Sequence, residues 1–88
     1  MTGSIIYGAY LRKIRKLEET WIRKLCDLRG WKYEDYEKYI NKPEVFEDMD
    51  LVELNVYIES LELLIKDIDE DPEYYNGLLD KAIEEGLI

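Results

Sequence analysis

The sequence predicts an all-α fold, a small bundle of three to four helices with a long N-terminal helix. Two segments carry apolar residues in steps of three and four, which is the spacing of one helical face. The chain has 88 residues with 5 glycines and 2 prolines, and it contains no internal repeat and no linker rich in serine or glycine. Because chains divide into domains only beyond about 200 residues, we expect one helical domain over residues 1–88.

The first helix is predicted from Ser4 or Tyr7 to Arg29. Its apolar stripe consists of Tyr10, Ile14, Leu17, Trp21, Leu25 and Leu28, and it is widened by Ile22 and Cys26. Gly30 follows the stripe, at the position where a left-handed C-terminal cap favours glycine. The helix is therefore expected to end at Arg29.

A short second helix is predicted from Tyr33 to about Asn41. Pro43 disfavours helical geometry at Lys42, so the helix has to end before it. The connector after Pro43 is expected to form one helical turn that holds Phe46 against the core.

Asp50 opens a third helix, because Asp50 and Glu53 have the spacing of a capping box. The apolar stripe of this helix consists of Leu51, Leu54, Ile58, Leu61, Ile65 and Ile68. A strand is the alternative for residues 52–58, where apolar and polar residues alternate. The helix is favoured because its pattern continues beyond the length of a strand and no clear partner strand exists.

Asp71, Pro72 and Glu73 start a fourth helix, with an acceptor at the N-cap, proline at the first position and an acid at the positive end of the helix dipole. Gly86 can close this helix, and the Asn76-Gly77 pair leaves open whether it is continuous. Its apolar face consists of Tyr75, Leu78, Leu79, Ala82 and Ile83. The core predicted for the whole chain consists of Ile14, Leu17, Trp21, Leu25, Leu54, Ile58, Leu61, Ile65 and Leu79.

The residue types argue against catalysis. Histidine is absent, and Cys26 lies on an apolar stripe, where burial is favoured over a nucleophilic role. Asp67, Asp69 and Asp71 alternate like the first ligands of a calcium loop, but the glycine and the glutamate that this loop requires are missing. We expect no enzyme activity, no cofactor and no metal site.

Cysteine content and hydropathy indicate the compartment. The single cysteine excludes an internal disulfide, which favours a reducing environment. No run approaches the roughly 18 apolar residues of a membrane span, and the N-terminus lacks the apolar segment of a signal peptide. A cytoplasmic protein that does not act on membranes is expected.

The net charge of −9 is divided unevenly along the chain. Residues 1–32 carry eight basic and three acidic residues, a net charge of +5, and residues 33–88 carry four basic and eighteen acidic residues, a net charge of −14. Such a division predicts either an internal match of charges or two different partner surfaces.

These properties predict a small acidic, non-catalytic protein-binding module, a regulator or inhibitor that covers a basic or nucleic-acid-binding surface of a larger protein. The chain has 8 tyrosines, more than a small core can bury with their hydroxyls satisfied. Exposed tyrosines beside acids are typical of protein-binding surfaces. Phage-encoded inhibitors of host defence that mimic nucleic acid share this composition. The predicted contact residues are Glu34, Asp35, Tyr36, Glu37, Tyr39, Asp67, Asp69, Glu70 and Tyr74.

The alternative function is nucleic-acid binding by the basic first helix of a dimer. Phosphate contacts would come from Arg12, Arg15, Lys16, Arg23 and Lys24. The acidic remainder of the chain would repel a polyanion, so nucleic acid is the less favoured partner.

A homodimer is also expected. The first helix would be about 40 Å long, whereas a globule of this chain length is about 30 Å across. The overhanging end would pair with a second copy through Ile6, Tyr7, Tyr10 and Leu11. In the competing arrangement, the fourth helix and Leu87–Ile88 fold back over residues 5–11 and give a monomer.

Overall fold

The structure, a computed structural model, describes residues 2–87 and the side chains of residues 5–87. The helices are α1 (Thr2–Arg29), α2 (Tyr33–Tyr36), α3 (Leu51–Glu70) and α4 (Pro72–Glu84), with 3₁₀ turns at Glu37–Tyr39 and Pro43–Phe46. The predicted all-α class and the long N-terminal helix are confirmed. Because residues 52–58 belong to α3, the strand alternative for this segment is wrong.

Helices α1 and α3 lie side by side and run in the same direction. Near the start of both, the Tyr7 hydroxyl donates a hydrogen bond to the backbone carbonyl of Phe46. Near the end of both, Lys24 forms an ion pair with Asp69 at 2.8 Å. Residues 31–50 therefore return along α1, from its C-terminal end to its N-terminal end, before α3 begins.

The core lies between α1, α3 and the Pro43–Phe46 turn. Its buried cluster consists of Ile14, Phe46, Leu54, Ile58 and Leu61. These burials confirm the predicted role of Phe46 and most of the predicted core on α3. The free energy gained is that of removing these apolar side chains from water.

The face that α1 buries differs from the predicted one. Its most buried residues follow a row of i to i+4 steps and are Ile14, Glu18, Ile22 and Cys26. Leu17, Trp21 and Leu25, which were predicted to be core residues, are half-buried beside this row, as is Ile65 on α3. Leu17 and Trp21 still pack against the buried cluster, so these four residues lie at the border of the predicted core and are not fully buried in it.

The predicted helix ends are confirmed at three positions. Asp50 and Glu53 form the capping box of α3, with the Asp50 carboxylate accepting a hydrogen bond from the Glu53 backbone N–H at 2.8 Å. The Asp71 side chain caps α4. Gly30 adopts a φ of 71°, and this left-handed turn lets the backbone N–H of Trp31 donate to the last turn of α1.

The second helix is shorter than predicted. Regular helix ends at Tyr36, a 3₁₀ turn follows, and Ile40 has extended backbone with a ψ of 126°. The predicted end at Asn41 is wrong, because Asn41 lies in extended chain and its side chain donates to Glu18 on α1 at 2.6 Å. The last helix, by contrast, continues through Gly77 without a break.

The molecule measures 45 × 25 × 21 Å. Tyr7, Tyr10 and Leu11 pack against the buried cluster. The predicted alternative in which α4 covers residues 5–11 is wrong, since α4 contacts the opposite end of α1 through Arg29. Ile88, which the same prediction invoked, lies outside the described residues. Among the helices that the structure describes, none has the length and apolar character needed to cross a membrane.

Candidate functional site

An apolar cavity of about 220 Å³ lies between the C-terminal half of α1, α2 and α4. Its walls include four aromatic side chains and two leucines, which are Trp21, Trp31, Tyr36, Tyr39, Leu79 and Leu87. Cavities that hold drug-sized ligands measure about 300–1,000 Å³, and a cavity of about 150 Å³ holds benzene. The volume therefore fits one large apolar side chain.

Stacked rings build one wall of this aromatic cavity. The ring centroids of Trp31 and Tyr36 are 4.8 Å apart, and those of Tyr36 and Tyr39 are 6.0 Å apart. The Gly30 turn brings Trp31 back toward α1, and the helical spacing of three residues places Tyr39 beside Tyr36. The Arg29 guanidinium lies 5.3 Å from the Trp31 ring centroid. These contacts hold the wall in place before any partner is bound.

Three carboxylates belong to the same short segment, residues 33–39, as Tyr36 and Tyr39 of this wall. Glu34, Asp35 and Glu37 are exposed, and Tyr39 is 53% exposed. Within the described residues, none of the three carboxylates forms a salt bridge. We call these three residues the acidic edge. The first group of predicted contact residues, which also includes Tyr36, thus lies on one segment but faces two ways. Tyr36 and Tyr39 line the aromatic cavity, whereas Glu34 and Glu37 line a polar depression together with Arg15, Arg23 and Lys38.

Cys26 also lines the aromatic cavity. Burial raises the pKa of this thiol, and the carboxylates of Asp27 and Asp35 raise it further. The thiol is therefore protonated near neutral pH and acts as an apolar part of the wall. Within residues 5–87, no three side chains of the metal-binding types are arranged around a common point.

The second group of predicted contact residues lies elsewhere, at the junction of α3 and α4. Asp69 is bound to Lys24, and the Glu70 carboxylate is 3.9 Å from the Lys66 ammonium group. Asp67 and Glu70 border a shallow depression with Tyr74, which is 61% exposed. Two of the three carboxylates of this group, Asp69 and Glu70, are thus in salt bridges.

The structure does not bring the two groups together. Arg23, on the α2 side of α1, lies 3.8 Å from the ring centroid of Tyr33, whereas the next residue, Lys24, faces Asp69 on α3. The C-terminal half of α1 thus separates them. A partner that contacts both groups would have to reach around this helix.

The basic residues predicted for nucleic-acid binding divide into two sets. Arg23 pairs with Glu19 at 3.1 Å and Lys24 pairs with Asp69, so both charges are matched within the chain. Arg12, Arg15 and Lys16 are exposed and form no salt bridge among the described residues. The uneven charge of the sequence is therefore partly an internal match.

Sequence reasoning missed a buried polar group between α1 and α3. Glu18 is 3% exposed, and its Oε2 atom accepts hydrogen bonds from Asn41 at 2.6 Å and from the Tyr57 hydroxyl at 3.0 Å. Its Oε1 atom has no hydrogen-bond partner in the part of the chain that the structure describes. The signal was present in the sequence, since Glu18 lies four residues from both Ile14 and Ile22 on the buried row.

The chain matches no protein-family model, no curated protein and no solved structure at a significant level. A functional proposal therefore has to rest on the geometry of the surface.

Proposed function

We propose that this chain is a small acidic, non-catalytic protein-binding module that covers a basic surface of a larger protein. The observation that carries the proposal is an aromatic cavity of about 220 Å³ whose wall residues Tyr36 and Tyr39 share one short segment with the acidic edge. A partner segment with one large apolar side chain next to lysine or arginine would fit both features. Aromatic anchor residues with a polar rim are the usual anatomy of such interfaces.

The two features would contribute in different ways. Burying one large apolar side chain in the aromatic cavity stabilises a complex by about 1.5–3 kcal/mol, which slows dissociation. The exposed carboxylates of the acidic edge attract a basic partner from a distance and speed association, more so at low salt. Loss of the cavity contact and loss of the charges can therefore be told apart by kinetics.

The regulatory role follows from charge. A module with a net charge of −9 competes with nucleic acid for a basic surface, because both present negative charge to it. Inhibition by covering requires no catalytic group. A phage-type inhibitor of host defence is the form of this function that the composition favours.

A pull-down from host lysate with and without nuclease identifies the partner, and rate measurements with the purified partner then test the site. Tyr39→Ala should raise the dissociation rate at least about tenfold, as expected for an interface anchor. Leu63→Ala is the control, since Leu63 is 60% exposed on α3 and does not line the aromatic cavity. Reversing Glu34, Asp35 and Glu37 to lysine should slow association.

The matched control for charge reverses three exposed acids on other segments, Glu47, Glu59 and Glu62, and it should slow association much less. Equal effects of the two triple reversals would show that net charge and not this site directs the partner. Loss of all capture on nuclease treatment would support the nucleic-acid alternative.

That alternative has one observation in its favour, the exposure of Arg12, Arg15 and Lys16 without salt bridges among the described residues. Three phosphate contacts predict that the logarithm of the binding constant falls with the logarithm of salt concentration with a slope of about −2.7. Reversing these three residues would abolish such binding and leave the acidic-edge complex intact.

A further inference from the structure

Helix α3 carries a second apolar stripe on the side that faces away from the core. Val52, Val56 and Leu63 are 72%, 56% and 60% exposed, and steps of four and seven residues place them on one face of the helix. The buried residues of α3, among them Leu54 and Leu61, lie on the opposite face. At about 1.5 Å per residue, the stripe is about 17 Å long. We call it the α3 face.

The outward side of α1 has a row with a similar spacing. Its members are exposed and follow steps of four, three and four residues, so they share one face, which we call the α1 face: Ile5, Ala9, Arg12 and Lys16. Ile14, which belongs to the buried cluster, lies on the opposite side of α1. Because α1 and α3 pack on each other through their buried sides, the α1 face and the α3 face lie on opposite surfaces of the molecule.

The two surfaces carry opposite charge. Residues 5–16 of α1 contain four basic residues and no acid, whereas residues 51–63 of α3 contain three acids and no base. None of these charges is in a salt bridge within the described residues. Two α1 faces would therefore repel each other, as would two α3 faces, whereas an α1 face and an α3 face attract each other.

We propose that copies of this chain associate head to tail, with the α1 face of one copy packed on the α3 face of the next. With the two helices parallel, as they are within the chain, Ala9 lies against Val56 and Arg12 lies against Glu59. The copies then follow one another without rotation. Because the contact joins unlike faces on opposite surfaces, it does not close on itself and continues into an open row of copies.

The contact is small, because it spans three turns of one helix in each copy. Interfaces that bury less than about 1,200 Å² are typical of weak association, so the mass in solution should depend on concentration. Neither face includes a residue that lines the aromatic cavity. Self-association and the proposed partner contact can therefore be tested separately.

Light scattering of the full chain over a range of concentrations tests the contact. The mean mass should rise past twice 10.6 kDa without a plateau at two copies. A mass of 10.6 kDa at a concentration of about 1 mM would overturn the proposal. A plateau at two copies would also overturn it, because that mass indicates a closed dimer such as the one predicted through Ile6 and Tyr10.

Two variants that each block one face show whether the contact joins unlike faces. Ala9→Glu places an acid on the α1 face, and Val56→Lys places a base on the α3 face. Each variant alone should stay at 10.6 kDa. An equal mixture should form a complex of two copies, since each variant retains the face that the other lacks. A mixture that stays at 10.6 kDa would overturn the proposal.

Leu78→Lys is the matched control for Val56→Lys, because it adds the same charge at a position of α4 that is 43% exposed and lies on neither face. It should keep the mass of the native chain at each concentration. An equal loss of association in both lysine variants would show that net charge and not the α3 face governs it, and would overturn the proposal. If either blocking variant fails to fold, Ile5→Glu and Val52→Lys take their places in the mixture.

Discussion

The Tyr57 hydroxyl of α3 donates a hydrogen bond of 3.0 Å to Oε2 of Glu18 on α1, so a buried polar contact joins the two longest helices. Burial raises the pKa of Tyr57 to about 12, and the Glu18 carboxylate contributes to the shift both by its charge and by accepting this bond. The fold therefore favours the neutral form of the Tyr57 side chain.

Stability is expected to fall between pH 10 and pH 12. Tyr57 ionises near pH 10.0 when unfolded and near pH 12 when folded, so its contribution is complete below the first value and is lost as the pH rises through the second. With solvent screening, the loss should be about 1–2 kcal/mol. Urea unfolding across this pH range should show that loss in the native chain and a correspondingly smaller one in Tyr57→Phe. An equal loss of stability at alkaline pH in both proteins would show that Tyr57 is not the source of the loss.

Replacing Leu61 with alanine should lower the free energy of unfolding by about 2–5 kcal/mol, because Leu61 is 1% exposed at the centre of the buried cluster. Leu63→Ala makes the same change on the same helix at a site that is 60% exposed, and it should change stability by no more than about 0.5 kcal/mol. Chemical denaturation of the two variants measures the difference. Equal losses would mean that α3 buries another face.

Two glycine-to-alanine changes should act in opposite directions. Gly30 has a φ of 71°, so Gly30→Ala should cost about 1–2 kcal/mol although no atom lies near the added Cβ. Gly77 lies inside α4, also in open space, so Gly77→Ala should raise stability by about 0.5–1 kcal/mol. Thermal unfolding of the two variants measures both effects. A stabilised Gly30→Ala would exclude the left-handed turn.

Self-association stays a prediction. Its predicted surface consists of Ile6, Tyr7, Tyr10 and Leu11, and all but the first of these are partly buried against the core of their own chain. Ile5 and Ile6 are 72% and 39% exposed, so pairing of two copies would centre on them. Light scattering on a size-exclusion column should give a mass above 10.6 kDa that returns to this value in Ile6→Glu.

Leu78→Glu is the control for the dimer, because Leu78 is 43% exposed on another helix, close to the 39% of Ile6. This variant should keep the mass of the native protein. A mass of 10.6 kDa for the native protein at every concentration would rule the dimer out.

Local chemistry allowed the helices to be predicted from the sequence. Asp50 and Glu53, for example, contact each other across a single turn, and Gly30 adopts the conformation that only its own lack of a side chain makes easy. Helix caps of this kind depend on neighbours within four residues, so they can be predicted without knowledge of the fold.

The burial of Glu18 could not be predicted in the same way. Its partners Asn41 and Tyr57 are 23 and 39 positions away, and only the parallel packing of α1 and α3 brings them together. The same packing decides which row of α1 is buried. The aromatic cavity likewise depends on α4 packing at the end of α1. The acidic residues could therefore be predicted from the sequence, but the cavity could not.

The parallel packing of α1 and α3 has a consequence for the synthesis of the protein. Side-chain hydrogen bonds between α1 and α3 join residues 39 to 45 positions apart. At a synthesis rate of about 5–20 residues per second, the covering residues follow about 2–9 s after the residues of α1. In each nascent chain, the face of α1 that will pack on α3 therefore stays uncovered by α3 for several seconds, until α3 has been synthesised.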